Sequence, residues 1–417
     1  MATWWRIGWR NLGRNRRRTL ITAAGLAIGY LAVVVMVGLM DGITAEMIEN
    51  GTDLLAGQLQ VHDPDYLPDR SIYATIGGDA GADVGRLVSE VAADPAVEGA
   101  APRVYAGGLI SSGASTVAGL LMGVDPARET AVSRIFSSVV RGRVPAAEAN
   151  EIFIGTEMAR RLDVVVGTEV VLVAPAADGS MGNDLFTVSG IFQTGLAELD
   201  GTYGLLPIRS LQRLVALPTD RVHEIAAATA NPWLADEAAA RLQARLGDPD
   251  LRLAVESWTQ LRPELLDYAR LADSWNWVMM VIVFGIAVFG VANTMLMATF
   301  ERRREFAVML ALGSSPSNIV RTVLYEATAL GLISVGVGVI ITVPVLVWWH
   351  NAPPDLSFLY GDFTMMGALV RPILRVEYPP VLGAWTGLAL LITVVVAALY
   401  PAARASRLPP ADILAGQ

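Results

Sequence analysis

The side chains of this chain best suited to hold a metal or move a proton are three histidines, His62, His223 and His350. They stand apart and share no HExxH or HxxxH spacing, so each reads as a solvated or strand-end residue and no metal site is expected. Cysteine is absent, which excludes disulfides, thiolate ligands, a cysteine nucleophile and lipid attachment to sulfur. Lysine is absent too, and all 31 basic residues are arginine. A phosphate-binding P-loop needs the lysine of its GK[ST] to reach the terminal phosphates, and Schiff-base chemistry needs an amine. Neither is open to this chain, and no G-x-S-x-G elbow occurs. The reading is a non-catalytic chain with no cofactor of its own.

What stands out instead is a charged stretch in an apolar setting, "FERRREFAVMLALGSSPSNI", residues 300–319. Five consecutive charges, Glu301 to Glu305, lead into an amphipathic turn. Glu301, Arg304 and Glu305 can face a polar groove, while Phe306, Met309 and Leu310 fall at helical spacing and form an apolar stripe that needs a partner or the membrane interface. Gly313 and the following Ser314-Ser315-Pro316 end that helix, and Ser317 is placed to cap the next. Arg302, Arg303 and Arg304 also suffice as a simple topology anchor.

The elements that position this stretch are membrane spans. The chain is 53% hydrophobic and only 17% charged, too apolar for a water-soluble protein of 417 residues. The excess sits in four nearly uncharged runs at 20–40, 277–300, 327–349 and 381–400, each close to the roughly 20 residues that cross a bilayer. The first is too long for a signal-peptide core, and no small-x-small site follows it, so it is read as retained. Arginines crowd the start of the first run (Arg6, Arg10, Arg14, Arg16, Arg17, Arg18), the end of the second, and the end of the fourth (Arg404, Arg407). Positive flanks stay inside, so both termini are expected in the cytoplasm. Residues 41–270 carry 32 Asp and Glu against 17 Arg, a net −15, and form the external part. This acidity argues against nucleic acid.

The expected fold is an α-helical membrane protein of four transmembrane helices, with a large external α+β domain between the first two. The divisions are 1–19 (Arg-rich terminus), 20–40 (first span), 41–273 (external domain), 275–300 (second span), 301–318 (cytoplasmic helix), 319–349 (third span), 350–378 (outer loop), 380–400 (fourth span) and 401–417 (cytoplasmic end). Within the external domain, strand-like alternation and helical patterns interleave. We expect an outer subdomain at about 57–124 and 207–257, a strand-rich insert at about 125–206, and helical stalks at 42–55 and 258–273. The stalks either carry movement to the membrane or are ordinary juxtamembrane helix. In the spans, Gly25 and Gly29 form a GxxxG that permits close helix packing. Pro344 reads as a kink and Pro401 as a stop, and Arg321 and Glu326 as snorkelling to the interface. No charge falls at midplane, which weighs against an ion-coupled carrier.

One span, a large external domain and three further spans form the frame. With it come "RIGWRNLGRNRRRTLIT", "NTMLMATFERRREFAVMLALGSSPSNIVRTVLYEATALGLI" and "LYPAARASRLPPADIL". Together these resemble the permease subunit of a MacB/FtsX-type ABC transporter, the mechanotransmission class. "GQLQVHDPDY", "GVDPARE", "EIFIGTEMARRLDVVVGTEVVLVAP" and "FTVSGIFQTGLAELD" resemble its lipoprotein-releasing LolC/LolE branch, whereas "ERRREFAVMLALG" is closer to the general MacB-like pattern. The resemblance implies a bacterial inner-membrane protein with a periplasmic domain. It also implies a separate ATPase dimer that binds ATP and Mg, a second permease copy (the same chain or a paired one), and a lipoprotein substrate with a periplasmic carrier or effector. It makes 301–318 a coupling helix, with Glu301, Arg302, Arg304, Glu305, Phe306, Met309, Leu310 and Gly313 as the ATPase contact. It makes Met36, Val37, Leu39, Met40 and Ile43 lining for an acyl-chain cleft; contact with ordinary lipid or the other subunit is the plainer alternative. Export of a small amphiphile or peptide, and signalling to an envelope hydrolase without transport, are the other functions the class contains.

Overall fold

The computed structural model describes residues 16–407 apart from 69, 79–82, 248–250, 356–362, 366–367, 371–372 and 378–379, together with 409 and 413. Arg6, Arg10 and Arg14, much of the 350–378 loop and the end of the chain lie outside the described residues. The chain divides into two units, one made of Met1–Thr44, Ala269–Leu356 and Ile373–Gln417, the other of Ala45–Tyr268 and Ser357–Pro372.

Four described helices are long and apolar enough to cross a membrane: Arg16–Asp53, Pro263–Glu301, Pro316–Asn351 and Pro380–Ser406. Each outlasts its apolar run because flanking polar residues continue the same backbone hydrogen bonding. The first helix absorbs nearly all of the stalk expected at 42–55. The second stalk is broken: Trp258–Leu261 is a separate helix, and Arg262 leaves helical geometry at φ −133°. Proline at 263 causes this, since it lacks an N–H and disfavours helical backbone in the residue before it. Pro401, expected as a stop, lies inside the fourth helix, which runs on to Ser406. Its last turns are held by packing, with Ala402 and Ala405 buried against Phe306, Ile319 and Val323.

The membrane unit buries Tyr30, Val33 and Val34 of the first helix among Phe284, Val291, Leu330, Leu390 and Val394 of the other three. The Tyr30 hydroxyl donates to the Gly383 carbonyl at 3.0 Å. Within the chain Gly25 and Gly29 make no close approach, because a Cβ at either would meet nothing within 4 Å. It occurs further along, at Gly38 and Gly42, where added Cβ atoms would stand 2.5 Å from the Glu377 carbonyl oxygen and 2.2 Å from that of Arg375. The Glu377 N–H donates to the Gly38 carbonyl at 2.9 Å.

Within residues 45–268 of the second unit the strands are β1 (Leu59–His62), β2 (Ile76–Gly77), β3 (Val97–Ser111), β4 (Thr116–Val124), β5 (Val139–Gly142), β6 (Glu151–Gly155), β7 (Glu169–Pro175), β8 (Met181–Phe192), β9 (Tyr203–Pro207), β10 (Arg221–Val222), β11 (Glu224–Thr229) and β12 (Ala254–Ser257). Ten form one sheet in the order β12-β1-β11-β3-β4-β9-β6-β8-β5, with β7 pairing both β3 and β8. The pairings β3–β4–β9–β6–β8–β7–β3 therefore close on themselves as a six-stranded ring. Two of them, β4–β9 and β6–β8, are parallel. This corrects the expected α+β arrangement with a separate insert: helices and strands alternate around one mixed sheet that runs through residues 125–206 and both flanks. Gly204 lets the ring fill, since a Cβ there would stand 2.9 Å from Cδ1 of the buried Ile152. On another face Phe136, Phe153 and Phe192 stack in series at 5.8 and 5.0 Å.

Candidate functional site

The charged stretch forms a short helix, Arg303–Ala311, set off from the second long helix at Arg302 (φ −103°, ψ 10°). Its end is a Schellman turn: Gly313 takes φ +88°, Gly313 N–H donates to the Leu310 carbonyl at 3.0 Å, and Ser314 N–H to that of Met309 at 3.0 Å. Glycine fits there because a side chain at positive φ is disfavoured. The next helix starts two residues earlier than expected, with Ser315 at the N-cap position and Pro316 in the first turn. Ser317 lies inside that helix, its hydroxyl 2.9 Å from that of Ser315.

Arg302 organises the segment. Its Nε donates to Glu305 at 3.0 Å, its Nη1 to Glu326 at 2.8 Å, and its guanidinium carbon sits 5.1 Å from the Phe306 ring centre. Glu326 does not snorkel. It is buried, and the Arg302 partner that compensates its charge is itself mostly covered. Arg18, at the start of the first long helix, donates to Glu301 at 2.9 Å. Arg321 is exposed.

The apolar stripe is the main correction. Phe306 is fully buried, in a cluster with Ile319, Val323, Ala402 and Ala405, and Met309 and Leu310 pack against the same cluster. The partner that stripe requires is supplied within the chain, so Phe306 holds the short helix down and offers no surface. The open face carries Arg304, Val308 and Leu312, four residues apart, with Leu312 83% and Val308 44% exposed. The i, i+4, i+8 spacing of Arg304, Val308 and Leu312 is present in the sequence, but helical spacing alone does not say which stripe the fold covers.

Of the residues expected to line a cleft, Val37 is buried in the membrane-unit core and Leu39 packs against it. This removes Val37 as an accessible contact. Met36, Met40 and Ile43 are half-buried. Gly25 and Gly29 line a cavity of about 300 Å³ with Phe284, Ala287 and Gly290 of the second helix.

A second constellation, also missed, lies inside the β-sheet unit. Arg103 on β3 is fully buried. Its Nη2 and Nε donate to Glu129 at 2.6 and 3.1 Å, and its Nη1 donates to Glu224 at 3.3 Å and to the Ala56 carbonyl at 3.2 Å. Burial works against the charge, and Glu129, Tyr105 and Glu224 outweigh it, holding Arg103 well above its ordinary pKa. The Tyr105 hydroxyl donates to Glu224 at 2.9 Å. His223 is buried as well, not solvated. Its Nδ1 accepts from the Tyr105 N–H at 3.0 Å, so Nε2 carries the proton and donates to the Ile72 carbonyl at 3.1 Å. Burial pushes its pKa down. His62 ends β1, buried, its Nδ1 2.8 Å from the Asp63 carbonyl oxygen. Among the described residues no three His, Asp or Glu side chains converge as metal ligands.

A sheet domain joined to four long apolar helices, with a braced charged helix between the second and third, defines a permease architecture. Residues 19–245 match the MacB-like periplasmic core domain and residues 277–410 the FtsX-like permease C-terminal domain, and the chain belongs to this family of ABC-transporter permeases. It is an inner-membrane protein with a periplasmic domain. It is 26% identical to the lipoprotein-releasing system transmembrane protein LolC of Xylella fastidiosa, over 98% of this chain and 97% of that protein. It is 22% identical to LolE of Haemophilus influenzae, over 98% of each. A macrolide export ATP-binding/permease protein MacB of Hahella chejuensis is 23% identical over 98% of this chain and 59% of that protein.

Proposed function

We propose that this chain is a non-catalytic permease subunit that releases lipoproteins from the inner membrane, driven by ATP hydrolysis in a separate ATPase. The observation that carries this is similarity to LolC and LolE proteins along nearly the whole length of both chains, with no lysine for a nucleotide site of its own. In this reading both termini and the short helix face the cytoplasm, following the arginine flanks. The ATPase seats on Arg304, Val308 and Leu312, and Phe306 and the Arg302–Glu326 pair transmit its movement to the third and fourth helices. A second permease copy covers the open faces of the first two helices, where Ile21, Ile28, Ile286 and Phe289 are all more than 60% exposed. Export of a small amphiphile is the competing reading, favoured by the similarity to MacB.

Photo-crosslinking from Met40 and Ile43 in intact membranes, with and without ATP, tests the substrate. Crosslinks to a lipoprotein that vanish on ATP binding are expected; crosslinks only to lipid or the other subunit in both states overturn lipoprotein release. Docking is tested separately. Val308→Asp with Leu312→Asp is expected to abolish co-purification of the ATPase while leaving thermal stability in detergent unchanged, because neither side chain is part of the packed cluster.

A further inference from the structure

A cavity of about 490 Å³ opens within the β-sheet unit, lined by the end of the first helix, β1, the loop after it, the 196–203 segment and Trp258 to Arg262. This volume suits one small ligand. Its walls include Leu54, Leu67, Leu196, Leu199, Tyr203 and Leu261. Two of the backbone groups placed there are already in use: the Ala56 carbonyl accepts from Arg103 and from Gln60 Nε2, and the Gly57 N–H donates to the Thr52 carbonyl. A peptide laid against the leucine walls would leave its own N–H and C=O groups unpaired there. A hydrocarbon carries no such cost.

The charge of the cavity is local and positive. Arg70 lines it with its guanidinium carbon 5.3 Å from the centre of the Tyr105 ring, and no carboxylate lies within 4 Å of it among the described residues. Arg70 holds φ +50°, a conformation uncommon for a side-chain-bearing residue and associated with ligand clamps. The other cation, Arg262, is taken by Glu264. The wall's one carboxylate, Glu198, is exposed and lies in the first turn of the helix Ala197–Thr202. The nearest charge acting on Arg70 is the buried Glu224, which bonds the Tyr105 hydroxyl rather than the guanidinium itself, so in a region that is otherwise strongly acidic a guanidinium with its hydrogen-bond donors turned to a leucine-rich cavity selects one kind of molecule.

We infer that this cavity binds a single-chain amphiphilic anion, its hydrocarbon among Leu54, Leu67, Leu196 and Leu199 and its carboxylate on Arg70. The inference goes beyond the lipoprotein-release reading and does not depend on it.

The test uses the full-length protein in detergent and a 16-carbon fatty acid bearing a diazirine near the chain end, with peptide mapping after irradiation. Labelling is expected on peptides holding Leu54, Leu67 or Leu199. Arg70→Gln is expected to lower it about tenfold, in line with loss of a hydrogen bond to a charged group, and Arg70→Lys to keep most of it. The matching diazirine alcohol needs no variant, and about tenfold weaker labelling is expected from it. Label confined to the long helices, or equal labelling by acid and alcohol, overturns the inference. Equal labelling of wild type and Arg70→Gln overturns the role of Arg70.

Discussion

Replacing Arg103 by methionine removes one positive charge from a place where three charged side chains have no exposed surface at all. Glu129 then keeps only the Ser133 hydroxyl, at 2.7 Å, and Glu224 only that of Tyr105. One Glu224 oxygen is already without a hydrogen-bond partner. That leaves two buried carboxylates without the guanidinium they share, and breaking a buried pair from one side costs about 3–5 kcal/mol. For a domain of this size each kcal/mol moves the midpoint by about 2–4 °C, which places the expected loss between about 6 and 20 °C. Thermal unfolding of the full chain in detergent, followed by intrinsic fluorescence at one scan rate, reads it directly. The double variant Arg103→Met with Glu129→Leu removes the orphaned carboxylate with its partner, and is expected to recover more than half of the loss. A drop under about 2 °C for the single variant, or a double variant worse than the single, would refute the view that charge compensation holds this core.

His223 supplies a pH dependence. Its folded pKa lies below the unfolded value of about 6.5, so its contribution to stability is full above that pH and is lost as the solution is acidified through it. Midpoints of the wild type are expected to fall below about pH 6.5, and His223→Gln, able to make the same two hydrogen bonds without titrating, to flatten that fall. Gly42→Val is expected to destabilise the membrane unit by about 1–3 kcal/mol, because its Cβ meets a carbonyl oxygen at 2.2 Å; an unchanged midpoint would show that this contact gives way. A Cβ at Gly25 meets nothing within 4 Å, and the cavity of about 300 Å³ that it lines leaves room for a larger side chain, so under Gly25→Ile the monomer's midpoint should hold while chemical crosslinking between permease copies decreases; undiminished crosslinking argues that the second copy sits elsewhere.

The four spans were legible because a bilayer imposes a length and an apolarity that no tertiary context alters. The short helix and its glycine stop were legible for the same local reason. Which of its faces is covered was not: Phe306 is satisfied by Ala402 and Ala405, nearly a hundred residues later, and helical spacing says only that a stripe exists. Pro401 was misread for the same cause, since distant packing overrides a local breaker. In the sheet unit, alternation marked most strands but could not pair them. The ring closes through Leu109 to Ser111 against Val171 to Val173, a match between segments sixty residues apart. The Arg103–Glu129–Glu224 cluster joins positions 26 and 121 residues away from Arg103, and nothing in the residues flanking any one of them marks it as buried.

The ring also decides how this domain meets unfolded neighbours. Joined side to side, its strands offer no free backbone along their paired stretches to an extended chain, and among the described residues the ten-stranded sheet keeps two outer margins, β5 and β12. Each is four residues long, and β5 is interrupted by a register shift beside Arg141. A stray polypeptide finds too short a row of N–H and C=O groups to template on, and bulge and charge spoil one of the two. Short margins of this kind protect the domain against strand-by-strand aggregation.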